Sequence, residues 1–111
     1  MSLDFFLIAE DVDGNEHTVL DVNITHNLTD MANAAGIYDA LWHPENIKAT
    51  HAKDITVALT VGMVNLLASP WAYQEFSASN GWGTYDQFVT FVKEVLVACN
   101  KYPSARIRTS T

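Results

Sequence analysis

The stretch that decides the fold is Leu3–Thr25, which reads LDFFLIAEDVDGNEHTVLDVNIT. Its first part, Leu3–Glu10, is rich in aromatic and branched residues and is typical of a β-strand. The dipeptide Asp13-Gly14 follows, and such a pair is a strong signal for a two-residue hairpin turn. In the return segment, His17–Thr25, apolar residues alternate with mostly polar ones. This alternation predicts a second strand with one buried face, and hence an antiparallel hairpin.

Helices are expected after the hairpin, because apolar residues recur there at the spacing of amphipathic helices. The predicted helices run from near Asn27 or Thr29 to just before Pro44, over about His51–Ala68, and from Thr84 to about Asn100, with a short helical turn over Trp71–Phe76. Arg106–Thr109 alternates like a last strand, and a lone hairpin needs a third strand for stability. We therefore predict one α+β domain, residues 1–111, in which a small antiparallel sheet packs against three main helices in the order β-β-α-α-α-β.

Charge is distributed unevenly along the chain. Nine acidic residues precede the first basic one, Lys48, whereas Lys101–Thr111 contains three basic residues and no acidic one. One interpretation is that the termini meet, so that Arg106 and Arg108 lie near Asp21 or the acids of the first strand. The other is a solvated acidic face. The net charge of −7 argues against nucleic acid or an anionic membrane as a partner, since both require a cationic surface.

Several classes of protein and site lack support in the sequence. Cys99 is the only cysteine, so no internal disulfide can form, and no basic leader or long apolar run is present. We therefore expect a cytoplasmic protein without a membrane span. No phosphate-binding loop, dinucleotide fingerprint or nucleophile elbow occurs, so we predict no cofactor. A serine–histidine–carboxylate triad leaves no local signature, and that possibility stays open.

Two clusters of possible metal ligands are better explained as structural. His43, Glu45 and His51 do not have the spacing of a zinc site, and Pro44 fixes a loop after the first histidine. The segment Asp11–Asn15 resembles the start of a calcium loop, but the glycine and glutamate that such a loop requires are missing further on. A hairpin turn accounts for the same residues, so we predict no metal site.

The segment Asn80-Gly81-Trp82-Gly83-Thr84 stands out from the rest of the chain. Two glycines bracket a tryptophan, and glycine is used where the backbone takes a positive φ or approaches another group closely. Thr84 with Gln87 three residues later predicts a capping box at a helix N-terminus. Such an end offers N–H groups and a partial positive charge, so this loop is either a ligand site or a structural joint.

A second polar cluster lies between the second strand and the first helix. His26 is placed there between Asn23 and Asn27, where a histidine can act as an acid or base near neutral pH. Alternatively, its ring bonds a local carbonyl and fixes the turn. We hypothesise that this cluster and the glycine–tryptophan loop form one site. The candidate ligand-binding residues are Asn23, His26, Asn27, Asn80, Trp82 and Thr84.

The three tryptophans are large for so small a domain. Tryptophans with polar neighbours are enriched at interfaces, which favours a surface aromatic patch for a partner or a planar ligand. The alternative is that Trp42, Trp71 and Trp82 fill the ends of the helical layer.

Three segments together resemble a family of small, uncharacterised bacterial and phage-type proteins. They are Asn23–Leu28 with Met31-Ala32, Ala40–Glu45, and Asn80–Tyr85 with Phe88-Val89. The resemblance covers roughly Asp21 to Arg108, although other members have a basic residue where His43 stands here and have more highly charged helices. It implies a shared site and no particular reaction, because the family has no assigned activity.

Two functional hypotheses follow from these observations. The first is a non-enzymatic interaction or ligand-binding module, in a phage or mobile-element setting, with a protein or a small molecule as its partner. The second is a small enzyme in which His26 acts as general acid or base beside Asn23 and Asn27. The absence of a catalytic signature favours the first hypothesis.

Overall fold

The computed structural model describes the whole chain, residues 1–111, and confirms the predicted order of elements. The strands are β1 (Ser2–Glu10), β2 (Glu16–Thr25) and β3 (Arg106–Ser110). The helices are α1 (Thr29–Ala35), α2 (Tyr38–Trp42), α3 (Thr56–Ala68), α4 (Pro70–Gln74) and α5 (Tyr85–Lys101), with 3-10 turns at His26–Leu28, Pro44–Ile47 and Ala52–Asp54. None of the helices combines the length and apolar character that a membrane crossing requires.

The sheet is antiparallel and has the strand order β2-β1-β3, so the C-terminal strand joins the hairpin as predicted. In the middle of the sheet, Phe5 lies opposite Val22 on one side and Thr109 on the other. Leu3, Phe5 and Leu7 are fully buried and point to the same face, where they join one core with the helices. Because β1 lies between the other strands, β2 is an outer strand of the sheet.

The first predicted helix is in fact two, α1 and α2. Gly36 ends α1 with a φ of +80°, in the left-handed region that glycine tolerates. The N–H groups of Gly36 and Ile37 donate to the carbonyls of Asn33 and Ala32, each at 3.0 Å, which is the arrangement that closes many helices. The helical spacing in the sequence continues across this break, so periodicity alone predicted one helix. The break lets Ile37 become fully buried.

The second predicted helix starts later than expected. The 3-10 turn Ala52–Asp54 precedes α3, which begins at Thr56 rather than near His51. The carboxylate of Asp54 accepts hydrogen bonds from the backbone N–H groups of Thr50 and His51, both at 3.0 Å. These bonds lower the pKa of Asp54 and cap the 3-10 turn.

The termini meet, but their charges have different partners from those predicted. Arg106 forms a salt bridge with Glu16, which lies at the start of β2. The guanidinium of Arg108 lies over the ring of Phe6, with its carbon 4.6 Å from the ring centre. Phe6 is the residue opposite both Arg108 and Asp21, so it stands between the two charges. Neither arginine forms a salt bridge with Asp21 or with the acids of β1.

Candidate functional site

The two polar segments singled out in the sequence lie against each other. The side-chain Nδ2 of Asn27 donates a hydrogen bond to the backbone carbonyl of Trp82 at 2.9 Å, across 55 residues of chain. The close approach depends on Gly83, which has a φ of +100°. A Cβ at this position would lie 2.9 Å from Thr25 Cγ2 and 3.1 Å from Asn27 Cβ, so glycine is required by both conformation and space.

The capping box predicted at the start of α5 is confirmed. Thr84 Oγ1 accepts from the N–H of Gln87 at 3.2 Å, while Gln87 Oε1 accepts from the N–H groups of Thr84 and Gly83, both at 3.0 Å. The next N–H, of Tyr85, donates to Ser77 Oγ at 2.8 Å. Most N–H groups of this helix end therefore have partners within the chain, which favours a structural joint over an anion site.

Asn80 also has a structural role in the loop. Its Oδ1 accepts from the N–H of Trp82 at 3.0 Å, and this bond closes a turn that includes Gly81 with a φ of +78°. Asn80 lines a shallow cavity of about 500 Å³, which it shares with His26 and Asn27. Neither Asn80 nor Thr84 lines the larger groove between β2 and α5.

A groove of about 970 Å³ runs between the outer edge of β2 and α5. Of the six candidate residues, Asn23, His26, Asn27 and Trp82 line it. One wall is the end of β2 with the turn that follows it and the adjacent residues Met1 and Ser2. The other wall is α5 from Asp86 to Glu94 with the glycine–tryptophan loop. Its lining includes Thr25, His26, Trp82, Asp86, Thr90 and Glu94.

His26 has a defined hydrogen-bonding state in this groove. Its Nδ1 accepts a hydrogen bond from Trp42 Nε1 at 2.9 Å, and Trp42 is only 2% exposed. Because an indole N–H can only donate, Nδ1 carries no proton and the proton of a neutral ring lies on Nε2. The half-buried ring lines both cavities, and its Nε2–H has no partner within the chain. The Nε2–H of His26 can therefore donate a hydrogen bond to a ligand.

The same geometry is unfavourable for acid–base work by His26. A general base accepts a proton, but Nε2 already carries one and Nδ1 is occupied by Trp42. Moving the proton to Nδ1 would place the N–H of His26 against the N–H of Trp42, and two donors cannot bond to each other. The contact therefore leaves the Nε2–H as the polar group of the ring that can reach a ligand.

Asn23 contributes less to the groove than expected. Its Nδ2 donates to Ser2 Oγ at 2.9 Å and to Asp4 Oδ1 at 2.7 Å, so both amide hydrogens are occupied within the sheet. Only its Oδ1 is left to interact with a ligand. Asn23 thus bridges two residues of β1 and is a weaker ligand contact than His26.

The groove has an acidic wall, which the sequence reasoning missed. Asp86, Thr90 and Glu94 follow one another at intervals of four residues, so they form a polar stripe along one face of α5. All three line the groove, and no lysine or arginine does. The interval of four is visible in the sequence, but the helix was predicted from its apolar face alone. A groove of this kind favours a ligand with positive charge or many hydrogen-bond donors.

One of the three tryptophans is buried and the other two are exposed on the surface. Trp42 is buried beneath His26, whereas Trp71 and Trp82 are 71% and 72% exposed. Trp82 stands at the groove, and Trp71 lies on α4 outside it. Trp42 supports the site through its hydrogen bond to His26, and sequence reasoning did not connect these two residues. No local signal links residues 16 positions apart in this way.

The residues weighed as metal ligands belong to turns. Asp11 accepts from the N–H groups of Asp13 and Asn15, each at 2.9 Å, and its Oδ2 lies 2.8 Å from His17 Nε2. The hydrogen bond with His17 is the main cause of the lowered pKa of Asp11. His43 Nδ1 lies 3.0 Å from Glu45 Oε1 in an exposed pair.

Comparison of the chain with family models, with curated proteins and with solved structures finds no match. The family resemblance therefore stays a prediction. Its three segments nevertheless converge in space, because Trp42 from the second donates to His26 in the first, and Asn27 in the first donates to Trp82 in the third. This convergence supports treating the three segments as one site.

Proposed function

We propose that this protein is a non-enzymatic binding module whose site is the groove between β2 and α5. The observation on which the proposal depends is the placement of His26, Asn27 and Trp82 in that one groove. The volume of about 970 Å³ lies in the range that ligand sites of proteins occupy. An exposed tryptophan beside a fixed hydrogen-bond donor is a common arrangement in recognition sites.

The polar groups of the groove are arranged for recognition. The His26 ring is held in one state by Trp42, and Asn27 is held by the carbonyl of Trp82, so both are oriented before any ligand arrives. Groups that are already ordered lose less entropy when they bind. Because Nδ1 is occupied, His26 serves here as a donor rather than as a proton acceptor.

The experiment is a ligand screen by amide NMR on the whole protein. A mixed set of small neutral and cationic compounds should shift signals from His26, Asn27, Thr90 and the indole N–H of Trp82. The matched pair Trp82→Ala and Trp71→Ala provides the control, because both rings are similarly exposed but only Trp82 lines the groove. Trp82→Ala should weaken binding at least tenfold and Trp71→Ala should not. Signal shifts confined to residues outside the groove, or equal effects of both variants on binding, would refute the proposal.

A further inference from the structure

The groove follows an unpaired edge of the sheet. The strand β2 pairs only with β1, and its far side has no neighbouring strand. Residues 22–25 of β2 line the groove along this far side. The other outer strand, β3, is partly covered, because the N–H of Ile107 donates to the carbonyl of Thr50 at 2.9 Å. The edge of β2 is thus the open edge of this sheet.

The hydrogen-bonding register shows which backbone groups face outward. The N–H of His26 donates to the carbonyl of Met1 at 3.2 Å, so the ladder between β2 and β1 uses His26 and every second residue before it. The N–H and carbonyl groups of Asp21, Asn23 and Thr25 must then point away from β1. None of these groups takes part in the backbone hydrogen bonds outside the ladder. They form a row of free donors and acceptors beside the groove.

The opposite wall defines the chemistry of an occupant. Asp86, Thr90 and Glu94 face the groove from α5, and no basic side chain lines it. In a strand added to β2, alternate side chains would point toward α5. Basic side chains at those positions would complement the acidic wall, and Trp82 offers apolar and cation–π contact at one end.

We propose that the groove binds an extended, lysine- or arginine-containing peptide segment of a partner protein, which adds to β2 as a fourth strand. The inference rests on the proposed function and names its ligand class. Strand addition to a free edge is an established mode of peptide recognition, in which backbone hydrogen bonds supply affinity and side-chain pockets supply specificity. The stretch from Asp21 to Thr25 spans about 13 Å at the usual rise of a strand, enough to pair with four or five peptide residues.

The probe is a displayed library of random heptapeptides, selected on the intact protein and followed by synthesis of the enriched sequences. Selection should enrich lysine or arginine at alternate positions. Each synthetic peptide is then compared with its copies N-methylated at alternate residues in either register. Methylation in one register removes the donors that pair with β2 and should weaken binding at least tenfold, whereas the other register should be tolerated.

Two substitutions at Thr25 form a matched pair of variants. Its φ of −69° already suits proline, and its N–H points outward, so Thr25→Pro removes one edge donor without touching the β1 ladder. Thr25→Ala loses the same side chain, which accepts from the N–H of Asn27 at 3.2 Å, but keeps the donor. We expect Thr25→Pro to lose at least tenfold more affinity than Thr25→Ala, with both variants folded by circular dichroism. Glu94→Gln should weaken binding of basic peptides, and the exposed Glu75→Gln should not.

Each alternative outcome has its own meaning. Peptides that bind the groove of both Thr25 variants equally well, and that tolerate methylation in both registers, would overturn strand addition. The groove would then remain a binding site. A dimer of the protein alone that Thr25→Pro dissociates, seen by analytical ultracentrifugation, would show that a second copy occupies the edge and would overturn the peptide partner. Failure to select any groove-binding peptide would overturn this inference. If the compound screen also shifted no signals of the groove residues, the proposed function would be refuted as well.

Discussion

The side-chain amide of Asn27 donates to the backbone carbonyl of Trp82 at 2.9 Å, and this bond joins the two segments that stand out in the sequence. It holds the turn after β2 against the loop before α5. The contact is possible because Gly83 brings the loop within van der Waals distance of Thr25 and Leu28. The groove wall and the N-terminus of α5 are therefore one structural unit, and changes at this junction should affect stability first.

Gly83→Ala should destabilise the protein more than Gly81→Ala. Both glycines have positive φ, at +100° and +78°, so both variants strain the backbone. A Cβ at Gly81 meets nothing within 4 Å, whereas one at Gly83 overlaps Thr25. We expect about 1–2 kcal/mol for Gly81→Ala from the backbone alone, and about 1–3 kcal/mol more for Gly83→Ala. Urea denaturation measures both, and equal losses would show that the loop relaxes freely.

Thr84→Ala should cost about 1 kcal/mol of folding free energy, the usual value of an N-cap side chain. The hydroxyl accepts from the N–H of Gln87, and alanine leaves that donor without its partner. Thr90→Ala, on the exposed face of the same helix, is the control and should change stability by less than about 0.5 kcal/mol. Indistinguishable effects of the two substitutions in thermal unfolding would contradict the role of the cap.

His26→Ala should destabilise the fold by about 1–3 kcal/mol, because it leaves the buried N–H of Trp42 without an acceptor. In a Trp42→Phe background the donor is absent, and the same change at His26 should cost distinctly less. A double-mutant cycle measured by chemical denaturation gives the coupling energy directly. A coupling near zero would mean that the His26–Trp42 bond contributes nothing to stability.

Deletion of Arg106–Thr111 should lower the melting temperature by several degrees. The deletion removes β3, which pairs with β1 from Asp4 to Ile8, and it removes the salt bridge of Arg106 with Glu16. Two strands with a covered face are less stable than three. Arg106→Gln separates the contributions, since an exposed ion pair is worth about 0–1 kcal/mol and the variant should melt close to the wild type. An unchanged melting curve for the deletion would contradict the pairing.

Cys99 should react with iodoacetamide only when the protein unfolds. Burial raises the pKa of its thiol from 9.0 to about 11, and the side chain is fully buried. Because the folded state favours the protonated thiol, the stability that this group contributes is complete below about pH 9 and is lost as the pH rises toward about 11. Mass spectrometry should show labelling at pH 8 that follows urea unfolding. Rapid labelling without denaturant would contradict the burial.

The site was only partly predictable, and particular residues show why. Asn23, His26, Asn27 and Trp82 were chosen because polar residues interrupt apolar patterns at the ends of elements, and the structure places all four along the groove. Asn80 and Thr84 were chosen by the same reasoning, but their side chains close the turn and cap α5. A sequence pattern marks a polar residue without showing whether its hydrogen bonds are made within the chain.

The sequence by itself determined the features that depend on near neighbours. The hairpin of β1 and β2, the cap at Thr84 and the placement of β3 in the sheet all followed from turn preferences, periodicity and the instability of a lone hairpin. The hairpin turn itself differs from the prediction, because the N–H of Asp11 donates to the carbonyl of Asn15 and the loop comprises three residues, Val12–Gly14, rather than two. Only the tertiary structure decided that Gly36 ends a helix, that Trp42 holds His26 in one state, and that β2 is left at an open edge facing α5. These features arise from contacts between residues far apart in the chain, where packing and hydrogen-bond satisfaction outweigh local preference.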